Sequence, residues 1–144
     1  KENMLLAARS AKNAQQMDSK RLEWIFQLFP AVEKFWNHPA GKLSGGQKQM
    51  LAVARAIVEP RKLLIVDEPS KGLAPAIINN MIDAFAQLKQ TGTTILLVEQ
   101  NISFAKRLGD QVAVMDNGKV VHAGSMQELA DNEDLQHALL GLAI

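Results

Sequence analysis

Two short segments of this chain combine residue types that could bind and activate a phosphate compound. Residues 43–47, Leu-Ser-Gly-Gly-Gln, place a hydroxyl, two glycines and an amide at the start of a predicted helix. Residues 63–69, Leu-Leu-Ile-Val-Asp-Glu-Pro, place two carboxylates directly after a predicted strand. A helix N-terminus can bind phosphate, and a carboxylate that ends a strand can hold Mg²⁺. Together the two segments predict a nucleotide site.

The first segment predicts its own helix start. Ser44 and Gln47 have the spacing of a capping box, in which each side chain accepts a hydrogen bond from the other residue's backbone N–H. Apolar residues then recur at helical spacing as far as Val58, and Pro60 interrupts the pattern. Gly45 and Gly46 lie in the first turn, where they leave the positive end of the helix dipole open to an anion. For this segment alone, an ordinary helix cap is the simpler interpretation.

The second segment predicts a strand of a parallel sheet. Residues 63–66 are four consecutive apolar residues, which is typical of a strand buried on both faces. Ligands of open α/β sheets bind beyond the carboxyl ends of the strands, where Asp67 and Glu68 stand. Because successive strand side chains point to opposite faces, one carboxylate can hold a metal while the other activates a nucleophile. The alternative, a solvated loop start, is disfavoured by the adjoining apolar strand.

The other elements predict an α/β fold. Residues 1 to about 40 have helical periodicity in two segments, one reaching Ala11 and one ended by Pro30. A helix predicted from Pro75 to Gly92 connects strands 63–66 and 95–98, and this β-α-β order favours parallel strands. Asn117-Gly118 predicts a hairpin between strands 112–115 and 119–121, followed by a helix with a capping box at 125–128.

Several motifs resemble the ATP-binding-cassette (ABC) ATPases. Residues 43–47 resemble the family's signature motif, and residues 63–69 resemble its Walker B strand with the catalytic glutamate. Residues 70–75 (Ser-Lys-Gly-Leu-Ala-Pro) are similar to the D-loop, and residues 93–101 are similar to the strand that enters the switch region. Within the family, the chain is most similar to the ATP-binding subunits of bacterial branched-chain amino-acid importers.

The resemblance implies ATP and Mg²⁺ as cofactors and assigns a role to each site residue. Asp67 is expected to hold Mg²⁺, and Glu68 is expected to be the general base. Gln100 stands where most cassettes have histidine, so it is expected to be a neutral phosphate sensor, with a plain helix-entry residue as an equal alternative. The residues expected to contact the γ-phosphate held by a second subunit are Ser44, Gly45, Gly46 and Gln47.

The resemblance also implies that the chain is a fragment. No Gly-x-x-x-x-Gly-Lys-Ser/Thr sequence occurs in the 144 residues, so the phosphate-cradling loop is absent. We expect a P-loop NTPase-like cassette without its N-terminal lobe, inactive alone, comprising a partial helical subdomain (1–42), the signature-to-switch region (43–109) and a C-terminal hairpin with helices (110–144). In the family the P-loop strand lies between those matching 95–98 and 112–115. The sheet is therefore expected to have a gap that favours oligomerisation or strand exchange.

The amino-acid composition bears on which classes of partner the chain could bind. The formal net charge is +1, which gives no reason to expect nucleic acid, and the chain contains no cysteine and no long apolar run. The resemblance implies a cytoplasmic protein that permease subunits hold at the inner face of a bacterial membrane and that pairs with a second ATPase subunit. A soluble cassette acting on DNA or the ribosome and a non-enzymatic interaction module are the alternatives. The three histidines lack ligand spacing, so we expect no metal site of their own.

Overall fold

The computed structural model describes residues 1–141, and these form helices and strands in the predicted α/β class. The elements are α1 (Glu2–Ala7), α2 (Ser19–Leu28), α3 (Pro30–Lys34), α4 (Gly45–Ala56), β1 (Leu63–Asp67), α5 (Pro75–Gln90), β2 (Thr94–Val98), α6 (Ile102–Leu108), β3 (Gln111–Asp116), β4 (Lys119–Ser125), α7 (Met126–Asp131) and α8 (Glu133–Leu140). The chain divides into two compact units, Lys1–Gln100 and Asn101–Ile144.

The helices of the first unit pack against one another through buried apolar side chains. Helix α4 contacts α1 and α3, while α2 contacts α3 and α5. The largest buried side chains of this unit are Met4, Ile25, Phe29, Ile57, Met81, Phe85 and Leu88. Aromatic side chains contribute to this packing: Phe29 is buried, and the rings of Phe26 and Trp36 meet edge to face at 5.2 Å.

Two predicted helix ends were wrong. Helix α1 ends at Ala7, short of Ala11, because the backbone N–H and the hydroxyl of Ser10 both bond to Glu59 and draw the chain out of the helical path. Helix α4 ends at Ala56, before Pro60, where the Ile57 carbonyl accepts a 2.8 Å hydrogen bond from Arg21 Nε. Both corrections depend on partners more than 30 residues away along the chain.

Strands β1 and β2 are parallel, as predicted from the β-α-β order. Their register pairs Ile65 with Leu96 and Asp67 with Val98. The prediction that β1 is buried on both faces was wrong. Leu64 and Val66 are buried, whereas Ile65 is 64% exposed and Leu96 is 54% exposed. Because β1 and β2 form a two-stranded sheet and the described part of this unit covers only one of its faces, alternate apolar side chains remain in contact with solvent.

The second unit contains the predicted hairpin. Strands β3 and β4 are antiparallel, with a register irregularity between Val114 and Met115. Val114 packs with Met126 and Leu129 in the core of this unit. The capping box predicted at 125–128 was wrong in detail, since the Ser125 hydroxyl accepts from the Gln127 N–H, one residue earlier than a box requires.

None of the helices in the described part of the chain is both long enough and apolar enough to cross a membrane.

Candidate functional site

The N-terminus of helix α4 has the predicted capping box. The Ser44 N–H donates to Gln47 Oε1 at 2.9 Å, and the Gln47 N–H donates to Ser44 Oγ at 3.3 Å. These two bonds satisfy the Ser44 and Gln47 backbone donors. Because the first N–H groups of an α-helix have no partner within the helix, those of Gly45 and Gly46 remain available at this end. The arrangement offers two backbone donors and one hydroxyl to an anion.

The two glycines of this segment are not equivalent. Around Gly45 there is open space where a side chain would project. A Cβ at Gly46 would lie 3.3 Å from Cγ2 of Ile77 in helix α5, closer than ordinary van der Waals contact. Gly46 therefore permits close packing of α4 on α5, a role that the sequence interpretation did not predict. Gly45 is the glycine whose surroundings fit an approaching phosphate.

Glu68 follows strand β1 in a constrained backbone conformation. Its φ is +44°, in the left-handed region that non-glycine residues rarely adopt. Its N–H donates to the Val98 carbonyl at 2.9 Å, and its own carbonyl accepts from the Lys71 N–H at 3.2 Å. The first bond fixes Glu68 to the end of β2, and the second closes a turn. The backbone at the predicted base is therefore held on both sides.

The Glu68 carboxylate is bonded through both oxygens. Gln100 Nε2 donates to Oε1 at 2.6 Å, and the Lys71 ammonium forms an ion pair with Oε2. The hydrogen bond to Glu68, followed by the attraction of its negative charge, raises the pKa of Lys71. The structure thus brings together the two predicted catalytic residues, and it adds a lysine that the sequence interpretation left without a role.

A second carboxylate stabilises the loop beside this cluster. Glu99 Oε1 accepts a 2.9 Å hydrogen bond from the backbone N–H of Ser70, which is buried. Glu99 follows β2 in the chain as Glu68 follows β1, and the strands are paired in register. Glu99 was not predicted as a site residue, although it is an acidic residue directly after an apolar strand, the same signal that indicated Asp67 and Glu68.

Asp67 is the last residue of β1, and it is exposed on the same face as Ile65. In the part of the chain that the structure describes, no group of three or more His, Cys, Asp or Glu side chains could hold a metal. Mg²⁺ commonly takes only one or two protein carboxylates and obtains its other ligands from water and substrate phosphates. A single exposed carboxylate at the carboxyl end of a parallel strand fits that requirement.

The predicted residues form two groups. One comprises Asp67, Glu68 and Gln100 at the carboxyl edge of the β1–β2 sheet, and the other is the capped N-terminus of α4 that contains Ser44 to Gln47. Among the described residues, no hydrogen bond or ion pair joins the two groups. Within the described part of a single copy, the two sets of polar groups are not bonded to each other.

Known proteins share both the sequence and the fold of this chain. Residues 1–71 match the family model described as ABC transporter. The high-affinity branched-chain amino-acid transport ATP-binding protein BraG of Pseudomonas aeruginosa is 40% identical over 121 residues, which cover 84% of this chain and 52% of BraG. The methionine import ATP-binding protein MetN of Haemophilus ducreyi is 33% identical over 138 residues, which cover 95% of this chain and 40% of MetN.

A solved structure supports the same fold. It is a dimeric ATP-binding cassette in a post-hydrolysis state, bound to ADP and Pi, and it superposes with a TM-score of 0.71 at 24% identity. The match covers 85% of this chain and 53% of that structure. This chain spans about half the length of BraG and a smaller part of MetN. It belongs to the family of ABC transporter ATPase domains.

Proposed function

We propose that this chain is the C-terminal part of the ATP-binding subunit of an ABC importer, and that the complete subunit hydrolyses ATP. The observation that carries the proposal is the bonding of Gln100 to Glu68 at the carboxyl edge of parallel strands β1 and β2. This is the edge at which α/β proteins bind nucleotides. Asp67 stands at the same edge, one residue before Glu68.

Each residue at this edge has a proposed task. Glu68 accepts the proton of the attacking water, for which a carboxylate must lie within hydrogen-bond reach. Gln100 orients that carboxylate in the free site and donates to the γ-phosphate in the loaded site. Asp67 holds Mg²⁺, which when bound neutralises charge on the phosphate oxygens. Most of the rate enhancement in such a site comes from positioning and charge stabilisation.

The capped helix α4 serves a second copy of the subunit. We assign to Ser44 and the Gly45 N–H the contact with the γ-phosphate bound by a partner subunit, with Gly46 and Gln47 supporting them through packing and the capping box. The absence of a bond between the two groups within the described part of one copy supports this assignment, because each group is then available to a different nucleotide site. The similar solved cassette is itself a dimer bound to ADP and Pi.

The chain alone is proposed to be inactive. The base, the metal ligand and the anion site proposed above all lie in the signature-to-switch region (43–109), between the helical region (1–42) and the C-terminal region (110–144). These regions do not contain the Gly-x-x-x-x-Gly-Lys-Ser/Thr loop that cradles phosphates. The complete subunit works at the cytoplasmic face of the membrane, where permease subunits hold it.

Branched-chain amino acids are the proposed cargo. The support is the similarity to BraG, which exceeds the similarity to MetN in identity. Uptake of radiolabelled leucine and methionine by cells with and without the gene tests this point. Loss of methionine uptake with normal leucine uptake would contradict the cargo and leave the ATPase proposal intact.

Turnover of the complete subunit tests the ATPase proposal. Glu68→Gln is expected to lower kcat by about 10²- to 10⁴-fold, the range for loss of a general base, while ATP binding persists and a nucleotide-bound dimer accumulates. Glu23→Gln makes the same chemical change at an exposed site on α2 and serves as the control. Equal kcat values for the two variants would exclude Glu68 as the base.

A further inference from the structure

Lys71 is bonded twice to the proposed general base. Its ammonium forms an ion pair with Glu68 Oε2, and its backbone N–H donates to the Glu68 carbonyl at 3.2 Å. Pro69 and Ser70 are the two residues between them, and both are buried, so the turn that joins Lys71 to Glu68 is anchored in the protein. The lysine side chain is therefore presented to the carboxylate by a fixed segment of backbone.

Gln100 contacts the same carboxylate from another element. Its Nε2 donates to Oε1 at 2.6 Å, whereas Lys71 binds Oε2. The Glu68 N–H is bonded to the Val98 carbonyl, and φ is fixed at +44°. The backbone and both carboxylate oxygens of Glu68 are therefore all bonded to other groups of the protein. Each carboxylate oxygen has two lone pairs, so each keeps one for a water molecule.

We propose that Lys71 is a positioning residue for Glu68. Together with Gln100 it forms a two-sided clamp that orients the carboxylate toward the attacking water. This inference rests on the proposed role of Glu68 as the base. Gln100 is neutral, so Lys71 is the member of the clamp that brings positive charge to the carboxylate.

The charges around Lys71 agree with this role. Glu68 is the dominant partner of its ammonium, and Asp67 adds a weaker attraction. The Lys71 side chain is 74% exposed, whereas that of Glu68 is 24% exposed. Lys71 can therefore be replaced without opening a cavity, and the clamp can be tested in a folded protein.

The first test measures ATP hydrolysis by the complete subunit. Lys71→Met keeps an unbranched side chain one atom shorter and removes the charge. It is expected to lower kcat about two- to five-fold with KM for Mg-ATP unchanged, the effect of losing one exposed ion pair. Lys71→Arg is expected to retain most of the wild-type kcat. The difference between wild type and Lys71→Met should shrink at 1 M NaCl, because salt screens exposed pairs. Lys20→Met, on the exposed surface of α2, is the matched control.

Three results would overturn the proposal in an active enzyme. One is a kcat for Lys71→Met equal to that of Lys20→Met, and another is a raised kcat, which would mean that the ion pair restrains the base. The third is a selective rise of KM, which would place Lys71 in nucleotide binding instead of positioning.

The second test does not require activity. In this chain labelled with ¹³C-glutamate, the Glu68 carboxyl resonance is assigned by its loss in Glu68→Gln. At constant pH it is expected to shift in both Lys71→Met and Gln100→Ala and to stay in place in Lys20→Met. Absence of hydrolysis by the complete wild-type subunit would contradict the proposed function, while this experiment would still decide whether the clamp exists. An unmoved resonance in Lys71→Met would show that it does not.

Discussion

Gln100 Nε2 lies 2.6 Å from Glu68 Oε1, although 32 residues separate them in the chain. The parallel register of β1 and β2 explains the approach, because it aligns the carboxyl ends of the two strands and so places the residues that follow them side by side. The β-α-β unit thereby brings together a carboxylate and an amide donor that lie far apart in the sequence.

The first prediction concerns the size of the Gln100 contribution. Gln100→Ala in the complete subunit is expected to lower kcat far less than Glu68→Gln, because a neutral side chain contributes a hydrogen bond worth ~0.5–1.5 kcal/mol, which is about two- to twelve-fold in rate. Steady-state hydrolysis measures it, with the exposed Gln87→Ala on α5 as the control. A Gln100→Ala enzyme as inactive as Glu68→Gln would mean that Gln100 does more than donate one hydrogen bond.

The second prediction is that residues 1–144 alone do not turn over ATP. The proposed base and metal ligand are present, but the phosphate-cradling loop and its lysine are not. Phosphate release and binding of a fluorescent ATP analogue measure this, with the complete subunit as positive control. Turnover by the pure chain that disappears in Glu68→Gln would contradict it.

The third prediction separates the two functions of Ser44. Ser44→Ala removes the helix cap and is expected to lower the free energy of unfolding by ~1 kcal/mol. Ser44→Asn keeps a good cap, so its stability should be near wild type. If the hydroxyl also contacts phosphate, Ser44→Asn should still reduce hydrolysis by the complete subunit. Urea unfolding and steady-state kinetics on the same variants distinguish the roles, and full activity of Ser44→Asn would restrict Ser44 to capping.

A local feature of this site could be predicted where residue spacing determines it, and could not where it depends on an unusual backbone conformation or on distant elements. The Ser44–Gln47 capping box depends on four neighbouring residues, so spacing alone identifies it. The Lys71–Glu68 ion pair spans only three residues but was not predicted, because Glu68 has a positive φ that no local pattern of a non-glycine residue indicates. The exposed face of β1 was missed for a related reason. Residues 63–66 are apolar throughout, and whether both faces are covered depends on elements elsewhere in the protein.

The fourth prediction concerns acid sensitivity. Hydrogen bonds from Ser10, first from its backbone N–H, lower the pKa of Glu59 below its usual value of 4.5, and Arg61 adds a weaker attraction. A lowered pKa in the folded state stabilises the protein above pH 4.5, and this contribution is lost as the pH falls through the lowered pKa. Wild type should therefore lose more unfolding free energy between pH 6 and pH 3 than Glu59→Gln.

Urea unfolding is measured from pH 6, which is above the usual carboxyl pKa, down to pH 3. Glu23→Gln, an exposed substitution of the same kind on α2, controls for the general effect of removing one acid. Parallel stability curves for wild type and Glu59→Gln would show that the contact between Ser10 and Glu59 contributes nothing that depends on pH.

The last prediction is that the isolated chain associates with itself. Strands β1 and β2 form a two-stranded parallel sheet, so each has an outer edge without a strand partner in the described part of its unit. The apolar side chains on its open face are Leu63, Ile65, Leu96 and Val98, each more than half exposed. Unpaired strand edges readily bind another chain, and parallel sheets are almost always covered on both faces. A second copy can satisfy both requirements.

Size-exclusion chromatography with light scattering, combined with amide exchange at residues 95–98 and 112–115, measures this association. The double variant Ile65→Thr/Leu96→Thr places threonine, a β-branched residue favoured in strands, at both positions and makes the open face more polar. It should therefore shift the chain toward monomer. Leu6→Gln removes an apolar side chain that is 81% exposed on α1, away from the sheet, and it should leave association unchanged. A wild-type chain that is monomeric at all concentrations, unprotected at both segments and yet cooperative in unfolding would show that an open sheet of this kind is stable by itself.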